Sequence, residues 1–213
     1  GHFNLFTGSA TNGKGGDFLL SVGSGTKYDG GHIEMTAGLS TAAAGGTGGA
    51  VSISTGEGEA SSSGAVIVKT LNAGASGVSG TLSFTSGTTS NGGSGRIRLA
   101  TGSATNGEGG DIIVSVGKSK TDAGGDVWVT AGHSEPFSGG AVSLTSGEGS
   151  TDTSGAVVIK TMNAGTSGVS GMLSFTSGTA SSGTSGHFNL FTGSATNGKG
   201  GDFLLSVGSG TKY

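Results

Sequence analysis

Three regularities predict an all-β fold, a parallel β-solenoid (β-helix) of strand–turn repeats about 15 residues long. A glycine recurs at near-constant spacing. Two apolar residues follow it at alternate positions. The segments between these units are built from Gly, Ser, Thr and Asn. Apolar residues two apart, flanked by small or polar ones, are the pattern of a strand with one buried face.

The repeats begin at Gly1, Gly16, Gly31, Gly49, Gly64, Gly80, Gly95, Gly110, Gly125, Gly140, Gly155, Gly171, Gly186 and Gly201. The spacing is 15 residues, except for 18 after Gly31 and 16 after Gly64 and Gly155. Position three is apolar in all fourteen: Phe3, Phe18, Ile33, Val51, Val66, Leu82, Ile97, Ile112, Val127, Val142, Val157, Leu173, Phe188 and Phe203. Position five is apolar throughout as well: Leu5, Leu20, Met35, Ile53, Val68, Phe84, Leu99, Val114, Val129, Leu144, Ile159, Phe175, Leu190 and Leu205. Only 31% of the chain is hydrophobic, so this register is not chance, and a disordered sequence has no need of one. These 28 residues are the expected structural core.

Position seven shares the inward parity but carries only Thr, Val, Ala or Ser, which implies a crowded place near a corner. Position eight is Gly except at Leu71 and Met162. Those two repeats are the 16-residue ones, and their loops NAGASGVS and NAGTSGVS carry Val78 and Val169, the mark of a variant corner. The remaining loop residues are those of turns.

Outward positions favour three strands per coil, about 45–48 residues. Residues one coil apart would stack about 4.8 Å from each other, where like charges repel. Taking every third repeat, position four reads Leu19, Ile67, Ile113, Val158 and Leu204, an unbroken apolar column. A one-strand coil would instead stack Asp111 on Asp126, and a two-strand coil would scatter the column. The column, with Trp128 at another outward position, is the candidate lateral contact. A longer period lies above: residues 1–28 are identical to residues 186–213. Residues 1–213 are thus expected to form one continuous solenoid segment, part of a longer array.

Composition narrows the function. Among 213 residues there are 49 Gly, one Pro and no Cys, which excludes disulfides and Cys-based zinc sites. A net charge of −3 has the wrong sign for nucleic acid, and no apolar run is long enough to span a bilayer. Asp17, Asp111, Asp126 and Asp202 each follow a Gly-Gly pair. Calcium needs six to eight oxygens, so one Asp per repeat reads as a solvated strand start. His2, His32, His133 and His187 have no carboxylate or nucleophile at a fixed offset, and Arg96 and Arg98 share a solvated face. TNGKGG lacks the Gly-Lys-Ser/Thr ending of a phosphate loop. Thr36, Thr85, Thr130 and Thr176 would form one outward threonine rank, which makes ice binding a second alternative, although an ice-binding plane usually has two. No catalytic, cofactor or metal site is expected.

The repeats GHFNLFTG, GDFLLSVG, GRIRLATG and GAVSLTSG resemble those of the Gly/Ser/Thr-rich repeat proteins of algal and other microbial cell surfaces, and of β-solenoid adhesins. The resemblance covers the whole sequence and transfers no functional residue. It implies an extracellular or cell-surface location, duty as a structural fibre or an adhesin stalk, and O-linked glycans on the Ser/Thr loops. The expected partners are further copies of the protein, in an array or as neighbouring protofilaments, and glycans.

Overall fold

The structure is a computed structural model that describes residues 1–43, 45–135 and 137–210. Among these residues there is no helix and no strand. The parallel β-solenoid with three strands per coil is therefore not the fold: the protein is an irregular succession of arms and loops. Its contacts divide it into two units, Gly1–Ile112 and Ile113–Tyr213.

Each repeat still has two local parts. The arm, roughly positions one to seven, runs without turns or bends, as alternating β-branched and aromatic residues favour. The loop then brings the next repeat back to the end of the arm. In the first junction the Gly16 N–H donates to the Gly8 carbonyl at 2.8 Å. The Thr7 hydroxyl donates to the Gly16 carbonyl at 2.8 Å. The same backbone closure recurs from Gly31 to Gly23 (3.0 Å), Gly49 to Gly38 (2.8 Å), Gly64 to Gly56 (3.2 Å), Gly140 to Gly132 (2.9 Å), Gly155 to Gly147 (3.0 Å) and Gly201 to Gly193 (3.3 Å).

At several junctions there is little room for a side chain at position one. A Cβ on Gly16 would lie 3.0 Å from the Thr7 Cβ, and one on Gly125 would lie 2.8 Å from the Val116 Cγ1. Across all thirteen junctions a Cβ at position one would lie 2.8–3.7 Å from the position-seven side chain of the preceding repeat, tightly at Gly16, Gly31, Gly49, Gly64, Gly125 and Gly201 and at ordinary contact distance in the others. This is the crowding that the small residues at position seven imply. The two variant corners are likewise alike. Gly77 N–H donates to Gly74 and Gly168 N–H to Gly165, each at 3.3 Å.

The expected core is not assembled. No described residue is buried. The half-buried ones are Ala37, Ser40, Gly58, Ala131, Ser134, Ser146 and Gly149, small residues at position seven or in loops. The accessible surface is 21505 Å² for 20.1 kDa. A compact monomer of that mass exposes about 8,700 Å² and an unfolded one about 29,000 Å².

The physical reason lies in what alternation encodes. A period of two gives an extended arm two different faces; it supplies no partner for either. A solenoid must also spend the N–H and C=O groups of each arm on the coils above and below. The described backbone bonds instead close loops, within one repeat or between consecutive ones, and none joins repeats three apart.

Candidate functional site

The arms keep a sidedness without a core. In the repeat starting at Gly16, Phe18 is 61% exposed and the adjacent Leu19 87%. In the repeat starting at Gly110, Ile112 is 54% exposed and Ile113 82%. The same order holds for Val66 and Ile67, Val157 and Val158, and Phe203 and Leu204. Position five also stays open, from Ile159 to Leu205. The structure thus presents fourteen apolar pairs to solvent. The candidate lateral residues Leu19, Ile67, Ile113, Val158, Leu204 and Trp128 are all exposed, from 73% at Val158 to 88% at Leu204. They do not form a continuous column on a solenoid surface, because no solenoid is present to align them.

Two contacts show what the apolar positions do locally. In the second unit the Phe175 and Phe188 rings lie with centroids 6.4 Å apart, tilted by 30°. This joins position five of one repeat to position three of the next. In the first unit Phe84, Ile97, Arg98 and Leu99 line a shallow open depression at the equivalent junction. The wall is apolar, with one guanidinium-bearing residue.

The loops carry the charges. Lys14 Nζ meets the Asp17 carboxylate at 2.7 Å, and its copy Lys199 meets Asp202 at 2.8 Å. All four side chains are three-quarters or more exposed, so each pair contributes at most about 1 kcal/mol and is weakened by salt. In the otherwise identical stretch SATNGEGGD, Glu108 stands where the other two copies have lysine. Residues at that spacing meet in the other copies, so Glu108 and Asp111 set two like charges where the others hold an ion pair. His133 Nε2 lies 3.3 Å from Glu135 Oε1, both exposed. Among the described residues no group of three or more His, Asp or Glu side chains converges as a metal site.

The Lys14–Asp17 pair is signalled in the sequence by its spacing around Gly-Gly and by the duplicated loop, although one Asp per repeat reads more simply as a solvated strand start. The contact between position one and position seven lies half in view, as a small residue and a recurrent glycine whose proximity only folding shows. No helix of the described residues is long and apolar enough to cross a membrane. Comparison with known proteins finds no matching family model, no matching curated protein and no matching solved structure.

Proposed function

We propose that this protein is a structural component of the extracellular space or cell surface, which associates with further copies of itself into a fibre and catalyses no reaction. The observation that carries the reading is the modular recurrence. Residues 1–28 and 186–213 are identical in sequence, and both copies form the same loop closure and the same lysine–aspartate pair. Selection on a catalytic site fixes a few residues in one place. Selection on a polymer fixes a spacing and repeats it.

The exposed apolar pairs supply the means of association. The protein exposes far more surface than a compact monomer of its mass, whereas a stable protein–protein interface needs only about 1,200–2,000 Å². A second copy offers apolar pairs at the same 15-residue spacing, so contacts can repeat in register along both molecules. The Ser/Thr/Gly loops remain hydrated and are the natural acceptors of O-linked glycans. A low net charge leaves association unopposed by strong repulsion.

The test is assembly of the purified protein, followed by sedimentation and electron microscopy. The wild type should form uniform filaments with rising concentration. Ile67→Lys with Ile113→Lys places two charges on exposed apolar positions beside the Val66 and Ile112 pairs and should leave the protein unassembled. A wild type that stays monomeric at all concentrations overturns the reading, as does a double variant whose filaments have unchanged width.

A further inference from the structure

We propose that four Asn-Gly steps, Asn12-Gly13, Asn91-Gly92, Asn106-Gly107 and Asn197-Gly198, are sites of spontaneous deamidation and isoaspartate formation, which turn the loops progressively more acidic. The proposal does not depend on fibre assembly.

There are eight asparagines, and the structure sorts them into two groups. Asn12, Asn91, Asn106 and Asn197 each precede a glycine and each sit in an exposed bend. Asn4, Asn72, Asn163 and Asn189 precede Leu or Ala and lie in stretches without bend or turn. The reaction needs the backbone nitrogen of the following residue to reach Cγ of the asparagine. An extended backbone holds those atoms apart, and a Cβ on the following residue hinders their approach. Glycine removes that obstacle and widens the accessible backbone angles.

The surroundings leave the approach open. A Cβ built on Gly92 or Gly107 meets nothing within 4 Å, and on Gly13 or Gly198 it meets only an alanine methyl, 4.0 and 3.8 Å away. Gly92 has φ of 111°, outside what residues with a side chain adopt readily.

The step balances with water as the sole co-reactant. The glycine N–H loses its proton to solvent, and the nitrogen attacks Cγ of asparagine. A new bond between that nitrogen and Cγ closes a five-membered succinimide, and the bond from Cγ to Nδ2 breaks to release ammonia. Water then opens the ring at either carbonyl. One opening leaves aspartate; the other leaves isoaspartate, with the backbone routed through the former side chain. No electron transfer occurs. Because the nucleophile is the deprotonated amide, the rate rises with pH.

The consequence is local and cumulative. Each conversion adds one negative charge, so four take the formal charge from −3 to −7. In SATNGKGGD the new carboxylate stands two residues from Lys14 and competes with Asp17 for it. In SATNGEGGD it joins Glu108 and Asp111, with no lysine in the loop to offset it. Isoaspartate also inserts an extra backbone carbon inside the loops that Gly16→Gly8 and Gly201→Gly193 bonds close.

The experiment ages the full-length protein at mildly alkaline pH in water enriched in heavy oxygen, then maps peptides with fragmentation that separates aspartate from isoaspartate. Expected is an NH2-to-OH mass gain carrying solvent oxygen at Asn12, Asn91, Asn106 and Asn197, with both isomers present. Asn4, Asn72, Asn163 and Asn189 should remain intact over the same period. In the Gly107→Ala variant, conversion at Asn106 should be lost on the time scale on which Asn12 still converts; Asn12 serves as the internal control for folding and handling. Absence of conversion at the four Asn-Gly steps overturns the proposal. So does equal conversion at Asn72 and Asn163, or a Gly107→Ala variant in which Asn106 converts as before.

Discussion

Two stretches 91 residues apart, one in each unit, agree at 14 of 22 positions and differ at eight. In the first, TLSFTSGTTSNGGSGRIRLATG runs from Thr81; in the second, MLSFTSGTASSGTSGHFNLFTG runs from Met172. Both loops hold a glycine at positive φ in the same place, Gly92 at 111° and Gly183 at 104°. Only the first has a hydroxyl clasp: the Thr89 hydroxyl donates to the Asn91 carbonyl at 3.1 Å and accepts the Asn91 N–H at 3.3 Å. The second has Ala180 and Ser182 there. The turn thus survives loss of the clasp, and the glycine backbone is what the two loops share. Beyond the loop the order reverses. Phe188 closes on Phe175, whereas Ile97 leaves a depression beside Phe84.

The largest effect is expected at the glycine. Gly183→Ala forces a side chain into a left-handed conformation at a cost of about 1–2 kcal/mol. Amide exchange around residues 181–186 should speed up accordingly, and Gly92→Ala should do the same in the first unit. If either variant exchanges like the wild type, the shared φ is not what holds the loop.

A smaller effect is expected from exchanging the apolar partners. Ile97→Phe should create a ring pair with Phe84, and Phe188→Ile should abolish the one with Phe175, each by about 0.5–1.5 kcal/mol. Ring-current shifts of the Phe84 and Phe175 protons report both changes. Unmoved shifts would mean that backbone placement, and not the residue at position three, decides the contact.

The clasp ranks next. Thr89→Ala removes one exposed hydroxyl partner and should cost about 0.5–1 kcal/mol of local order, visible as faster exchange of the Asn91 amide with Gly92 unaffected. Smallest of all is the charge exchange. Glu108→Lys should create a third lysine–aspartate pair, with Asp111, worth less than about 1 kcal/mol. Titration of salt should erase its effect on the Asp111 carboxylate resonance; an effect that persists at high salt would point to a contact other than an ion pair.

The local grammar is legible because it is written in residues that act on their neighbours. Gly16 and Thr7, or Gly125 and Val116, are nine residues apart, and a loop of Ser, Thr, Asn and Gly brings such pairs together without help from more distant repeats. The twofold alternation of Phe18, Leu19 and Leu20 foretells an arm with unequal faces, and Phe18 is less exposed than Leu19. The coil is another matter. Three strands per turn rest on the column Leu19, Ile67, Ile113, Val158 and Leu204, whose regularity follows from the repeat itself whether or not those residues ever stack.

Residue order alone therefore fixes the module: its spacing, the glycine at its junction, the small residue that faces that glycine, and the apolar pair carried on each arm. What becomes of the pair depends on contacts between repeats, which residue order does not set. The reason is physical. Seven of the junctions close through an N–H to C=O bond between groups eight to eleven residues apart, and the entropy lost in closing so short a loop is small. A core needs arms from distant repeats to meet face to face and exchange backbone bonds. Among the described residues no backbone bond joins such arms, and Phe3, Leu20 and Ile112 are open to solvent.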